Sequence, residues 1–325
     1  MRLSVLIAGA LSLILQPVQA ATAGPVTLVF AGDIVLDDTA GKVIKAGGDP
    51  FAAFAPEFRN ADIRIGNLEC VIATTGSAAG KNFTFRAHPR VIPVLQRHFD
   101  AVALANNHSG DYGREAFAEM LGLLSQHKLA QFGGGHNLGE AHTPLIIERK
   151  GIRIALLSYS EFMPRSFEAD YNAPGIAWSE DEQVVADIKK ARTTYHADIV
   201  IPVMHWGWEN ELMASARQRQ LARTMIDAGA DAVIGGHPHV RQNTEQYRGK
   251  PIVYSVGNFV MKESDDAQQH LGWLLRLQID RQGVSSFDTR VAQLDTEGIP
   301  TPVRNVRSPC WSRGQLEAGL CGAGD

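Results

Sequence analysis

An α/β fold follows from three features of this 325-residue chain. Short apolar runs recur along it: Val26 to Ala31, Ile63 to Gly66, Ala101 to Ala105, Ile152 to Ser158, Ile199 to Met204, Ala232 to Gly235, Ile252 to Val256 and Trp273 to Ile279. Runs of this length bounded by turn residues read as buried strands. Helical spacing falls between several of them, at Phe117, Met120, Leu121 and Leu124, at Val184, Ile188, Ala191 and Tyr195, and from about Ser215 to Ala228. Composition supplies the third feature: 45% hydrophobic and 20% charged residues are the proportions of an ordinary globular chain with a sizeable core. Strands alternating with helices give an α/β unit, and beyond about Pro251 strands outnumber helices. After Asp295 the pattern fades, so residues 295–325 are expected as an irregular tail.

The N-terminus has the grammar of an export signal. Arg2 gives a positive start, Leu3 to Leu15 an apolar stretch, and Val18-Gln19-Ala20 a small-x-small cleavage site. The apolar run is shorter than the roughly 20 residues of a spanning helix. The expectation is a secreted or periplasmic protein cleaved near Ala20, with its domain over residues 21–294. Of three cysteines, Cys310 and Cys321 are close in sequence and are expected to pair; Cys70 has no activating neighbour and reads as a small buried hydrophobe. Net charge is −4, with no dense run of Lys or Arg, which argues against nucleic acid as a partner.

Polar residues end five of the strand-like runs. "TLVFAGD" ends on Asp33, "IRIGNLE" on Asn67 and Glu69, "VALANNH" on Asn107 and His108, "VIPVMHWGWE" on His205 and Glu209, and "AVIGGHPH" on His237 and His239. In open α/β sheets sites form beyond the carboxyl ends of strands, where side chains converge. Any one of these is explained by ordinary turn chemistry, and even His-x-His is equivocal alone. Their recurrence at successive strand ends is what points to a metal. His88, His98, His127, His136, His142, His196 and His270 lack that setting and read as surface or packing residues.

Imidazole, carboxylate and amide oxygen without thiolate suit one or two divalent ions such as Mn, Fe or Zn. About seven donors exceed one tetrahedral site, and paired ions about 4 Å apart would use them in phosphoryl chemistry. His108 is then free to act as general acid to a leaving oxygen. Arg86, in "NFTFRAHP", is a candidate clamp for an anionic substrate, set against an ordinary loop arginine. Trp206, Trp208 and Tyr112 are candidates for a platform under a polymer or sugar, set against plain core roles.

"AGDIVLD", "GNLE", "FTFRAHP", "LANNHSGDYG", "HWGWE", "GGHPHV" and "YSVGNFV", in that order, resemble the CapA family of capsule and poly-gamma-glutamate synthesis, within the calcineurin-like metallophosphoesterase superfamily. The resemblance implies a metallophosphatase-like four-layer α/β/β/α sandwich with a dinuclear centre at its edge. It places Asp33, Asn107, His205, His237 and His239 among the ligands, Asp33 and His108 in the catalytic machinery, and Asn67 at the usual bridging aspartate. Two departures follow: Val35 stands where the superfamily has a ligand histidine, and Asn67 is a neutral bridge and substrate contact that Glu69, two positions on, would compensate. Glu209 is a further ligand or a partner orienting His205. The resemblance favours a metal-dependent hydrolase acting on an anionic surface polymer or phosphorylated substrate, beside membrane capsule-synthesis proteins. The alternatives are a non-catalytic polymer-binding accessory and a periplasmic phosphoesterase for small substrates.

Overall fold

The computed structural model describes residues 24–162, 165–261, 264 and 266–322. The expected export signal lies outside them. Two β-sheets face each other. Strands of the larger run in the order Gly319–Cys321, Ser308–Ser312, Gly283–Leu294, Leu271–Asp280, Val26–Ile34, Ile63–Leu68, Ala101–Ala103 and Ala130–Phe132; Asn258–Val260 joins Val26–Ile34, and Pro300–Pro302 joins Gly283–Leu294. The smaller sheet is ordered Thr244–Tyr247, Lys250–Val253, Val233–Gly236, Ile199–His205, Ile152–Ser160 and Leu145–Arg149.

Period-two alternation makes the layers. Val26, Leu28 and Phe30 point between the sheets, packing with Ile154, Leu156, Ile201 and Ile234 of the smaller one. Val29 and Ala31 point outward, against Ile44, Leu95, Phe117 and Met120 of the helices Asp38–Lys45, Ile92–His98 and Gly113–Gln126. On the far side, Leu157, Val200 and Met204 meet Val184, Ile188, Leu221 and Met225 of Asp181–Thr193 and Ala216–Ala228. The expected four-layer α/β/β/α sandwich is the observed one.

One irregularity sets up everything at the sheet edge. The register between Val26–Ile34 and Ile63–Leu68 shifts between Ala31 and Asp33, a bulge with Gly32 as the extra residue. Beyond it the parity reverses: Ile34 packs outward with the helices, and Asp33 takes the inward face of Phe30. Only glycine fits there, since a Cβ on Gly32 would lie 1.9 Å from the Gly257 carbonyl oxygen.

The structure differs from the sequence expectation in three places. Residues after Asp295 are not an irregular tail: they add three short strands to the larger sheet and Trp311 enters the core between the sheets, while Cys310 and Cys321 are disulfide-bonded as expected, with Cα atoms 5.8 Å apart. Pro and Gly in this segment hide its alternation. The strands Leu145–Arg149, Thr244–Tyr247 and Gly283–Leu294 carry too many polar residues for an apolar-run criterion. Helix Asp181–Thr193 stops short of Tyr195.

Two glycines give opposite expected outcomes. At Gly235 a Cβ would meet the Tyr254 carbonyl oxygen at 2.0 Å, so Gly235→Ala should lower unfolding free energy by about 3 kcal/mol. Gly122, inside the helix Gly113–Gln126, has nothing within 4 Å, so Gly122→Ala should raise it by up to about 1 kcal/mol. Urea midpoints of the two variants check both signs.

Candidate metal centre

Each ligand-bearing strand carries apolar side chains inward and then ends in a polar one. Asp33 and Asn67 are register partners on neighbouring parallel strands, and Glu69 follows the second directly. Asn107 and His108 lie in the loop after Ala101–Ala103. Across the sandwich, His205 closes Ile199–His205 and is in register with Gly236, one residue before His237. These strands pair in parallel, so their carboxyl ends open on one edge.

The His237-Pro238-His239 turn is bent by its backbone. His237 has φ +95° and His239 φ +58°, a region that costs non-glycine residues of order 1–3 kcal/mol. The glycine before it admits the opposing carboxylate: a Cβ on Gly236 would come within 2.7 Å of Asp33 Oδ1. The turn sets His237 Nδ1 3.1 Å from His205 Nε2, and the His237 amide donates to Asp33 Oδ2 at 3.1 Å.

Two ligand groups result, and they share one residue. Glu69, His205 and His237 offer atoms all within 4.8 Å of one another, as do Asp33, Glu69 and His239. Around His205 Nε2 stand Asn107 Oδ1 at 2.7 Å, His237 Nδ1 at 3.1 Å and Glu69 Oε1 at 3.4 Å. A single N–H cannot serve three such neighbours. His239 Nδ1 lies 3.6 Å from Asp33 Oδ2, and its Nε2 3.9 Å from Glu69 Oε1. Glu69 has no exposed surface, and among the described residues neither of its oxygens nor His237 Nε2 has a hydrogen-bond partner. A buried carboxylate without donors is costly unless a cation meets it, so the residues present fit a divalent ion.

The electrostatics agree. Burial, and then the charge of Glu69, push the Asp33 carboxyl above its ordinary range. Burial also works against Glu69, but the imidazoles of His239 and His205 outweigh it and hold this group at about 2. Burial depresses His237, helped by the neighbouring His205, His239 and His108. His239 moves upward because Glu69 and Asp33 overcome its desolvation. The imidazoles thus suffice for Glu69 but leave Asp33 short of positive charge.

Of the residues expected at the site, the structure brings Asp33, Glu69, Asn107, His205, His237 and His239 together as possible donors. Asn67 joins them as a brace: its amide Nδ2 donates to Asp33 Oδ1 at 2.8 Å, and its oxygen accepts from Asn106 at 3.2 Å. These bonds engage both ends of the amide expected as ligand and bridge, and Glu69 sits in both ligand groups. His108 is held at Nδ1 by Asp111 Oδ2 at 2.8 Å and lies under the Phe85 ring, centroids 4.5 Å apart. Arg86 is not at the cluster. Its guanidinium, expected as an anion clamp, stacks on Tyr112 and donates through Nη1 to the Thr75 and Gly76 carbonyls.

Trp206 is fully buried and donates to the Tyr254 carbonyl, so it belongs to the core. Trp208 is 68% exposed, edge-on to Phe162, whose ring covers His237 at 3.8 Å between centroids. Glu209 is exposed and in neither ligand group. Cys70 is buried, its thiol pushed up to about 12 by burial, and is inert. The buried His142 and His98 are tied to Asp187 and Asp49, as packing residues would be.

Four residues escaped the sequence reading: Asn106, Lys81, Asp111 and Asn258, the last holding His239 Nδ1 at 2.9 Å. Asp111 sits three residues after His108 inside a quoted motif, a signal that was available. Asn258 pairs in register with Asp33, which only the sheet pairing reveals.

Among known proteins, the chain is 32% identical over 288 residues to the PGA biosynthesis protein CapA of Bacillus subtilis (strain 168), covering 85% of this chain and 73% of that one. It is 28% identical over 296 residues to the capsule biosynthesis protein CapA of Bacillus anthracis, covering 86% and 70%. Among solved structures it is similar to Haemophilus influenzae NAD nucleotidase, with a TM-score of 0.49 and 12% identity over 86% of this chain and 60% of that one. The model of the bacterial capsule synthesis protein family PGA_cap matches residues 27–263, and the chain belongs to that family.

Proposed function

We propose that this protein is an exported, metal-dependent hydrolase that cleaves a phosphoester or acyl-phosphate bond during synthesis, export or turnover of a capsule or poly-gamma-glutamate-type polymer. The observation that carries the reading is Glu69, a buried carboxylate without hydrogen-bond donors shared by two ligand groups. Relatives named for capsule and PGA biosynthesis support the setting. Arg2 and the apolar stretch after it support export; among the described residues no helix is long and apolar enough to cross a membrane. The substrate would be an anionic polymer or a phosphorylated precursor, and membrane capsule-synthesis proteins would be its partners.

Asp33, Glu69 and His239 would hold one ion and Glu69, Asn107, His205 and His237 the other, with Mn, Fe or Zn fitting the donor set. When bound, such ions act as Lewis acids on a phosphoryl oxygen and offset its negative charge. The chain does the rest. Asp111 occupies His108 Nδ1, which leaves Nε2 as the atom that hands a proton to the leaving oxygen. Asn67 fixes the rotation of the Asp33 carboxylate, and Phe162 and Phe85 wall the histidines from water.

One observation favours a second reading, a non-catalytic polymer-binding accessory. Val35, buried and apolar, stands where the superfamily resemblance expects an imidazole, so the Asp33 group has three protein donors.

Elemental analysis separates the two: two metals per chain are expected for the hydrolase, and none would favour the accessory. Glu69→Gln, touching both groups, should take the metal content below one per chain. Hydrolysis of p-nitrophenyl phosphate should vanish with a chelator. His108→Gln should lower its rate by about 10²- to 10³-fold while leaving metal content unchanged.

A further inference from the structure

We infer that Lys81 is a positioning residue of this centre: its ammonium locks the 74–85 loop onto Asp111 and the Asn107 backbone, and so fixes the His108 ring and the Asn107 amide together. This rests on the metal-centre reading above. Lys81 Nζ donates to the Asn107 carbonyl oxygen at 2.8 Å and forms an ion pair with Asp111 Oδ1. The Asp111 side chain has no exposure, and its other oxygen accepts from the Phe85 amide at 2.6 Å and from His108 Nδ1 at 2.8 Å. Three groups therefore set the rotation of one buried carboxylate, and of these three Lys81 alone bears a permanent charge.

Removing that charge leaves a buried carboxylate short of a partner, which costs more than the bond itself. The carboxylate would turn toward its remaining donors, and the His108 ring would turn with it. Asn107 is affected by the same loss. Its carbonyl is pinned by Lys81, while its side-chain oxygen stands 2.7 Å from His205 Nε2. One side chain thus reaches both the proposed proton donor and a proposed ligand.

The loop does not depend on Lys81 for its attachment. At its start, Thr74 and Thr75 donate backbone and hydroxyl protons to Glu119, at 3.0 and 2.8 Å for Thr74 and 2.9 and 2.6 Å for Thr75. Arg86 donates to the Thr75 and Gly76 carbonyls at 3.0 and 3.2 Å. A merely structural lysine would therefore be replaceable with little consequence at the histidines. With 30% of its side chain exposed, it should also be replaceable without unfolding the protein.

Two readouts test this, and neither uses turnover. In metal-free protein, the downfield proton resonance of His108 Nδ1–H, assigned by its loss in His108→Gln, should be present in wild type and Lys81→Arg and absent in Lys81→Met through fast exchange. By titration calorimetry with Mn²⁺, Lys81→Met should bind about tenfold more weakly than wild type, within the range seen when partners of metal ligands are removed, and Lys81→Arg within about threefold. Glu119→Gln, which loosens only the loop's start, should keep both. Lys81→Gln replaces Lys81→Met if the latter misfolds. An unchanged resonance and unchanged affinity on loss of the charge would overturn the proposal, as would an equal loss in Glu119→Gln. A wild type that binds Mn²⁺ but hydrolyses no phosphoester would overturn the hydrolytic reading alone; one that binds no Mn²⁺ leaves the resonance to decide.

Discussion

The constraint on which this molecule turns is the burial of the Glu69 carboxylate. It lies just beyond the end of a core strand with no hydrogen-bond partner among the described residues, 3.4 Å from one imidazole and 3.9 Å from another. A second carboxylate, Asp33, shares the pocket, and burial together with the charge of Glu69 makes it harder to ionise. Left alone such a pair destabilises the fold. The arrangement is coherent only as one half of a charge balance, and the ring of Nδ1, Nε2 and amide oxygen atoms around it has the composition of a metal shell.

The scaffold delivers these groups through strand parity. Inward positions of the ligand strands are apolar along their length, Ile63 and Ile65 before Asn67, and Ile199, Ile201 and Val203 before His205. The centre is thus the polar end of the inter-sheet core, and the close packing that stabilises the sandwich also fixes the ligands. Asp33 is the exception that requires a device. Without the bulge at Gly32 its side chain would fall on the helix-facing side, with Val29 and Ala31. Strain is concentrated at the opposite wall, in the positive φ angles of His237 and His239.

Much of this was legible in the sequence because strand ends announce themselves as an apolar run closed by glycine and a polar group. The positions of Asp33, Glu69, Asn107, His205, His237 and His239 follow from that grammar, and so does the layering. What stayed hidden depends on pairing rather than on local pattern. Asn67 looks like a ligand by alignment of motifs, but its amide is consumed by Asp33 and Asn106. Arg86, within "NFTFRAHP", reads as a substrate clamp, whereas its Nη1 donates to two carbonyls of the preceding loop. Lys81 gave no signal, because an ordinary lysine in a Gly/Ala-rich loop acquires meaning only when the loop folds back on Asp111. The last strands failed to register since their Pro and Gly content obscures the period that Trp311 obeys.

The ligand count bears on what such a centre is for. With Val35 in place of an imidazole, the Asp33 group offers three protein donors, whereas a closed structural site for these metals has four. Two divalent ions would bring four positive charges against the two carboxylates of Asp33 and Glu69. Asn67 and Asn107 add none, and His237 is held toward its neutral form by burial. The excess would be positive, at a site beside Phe162, whose ring covers His237 and meets Trp208 edge-on. An anion would complete both the coordination and the charge, and a phosphoryl or carboxylate oxygen would do so without a proton of its own. On the proposed reading, the same substitutions that weaken the resemblance to an ordinary phosphodiesterase would leave the centre more dependent on its substrate, and would couple metal retention to the presence of an anionic polymer or precursor.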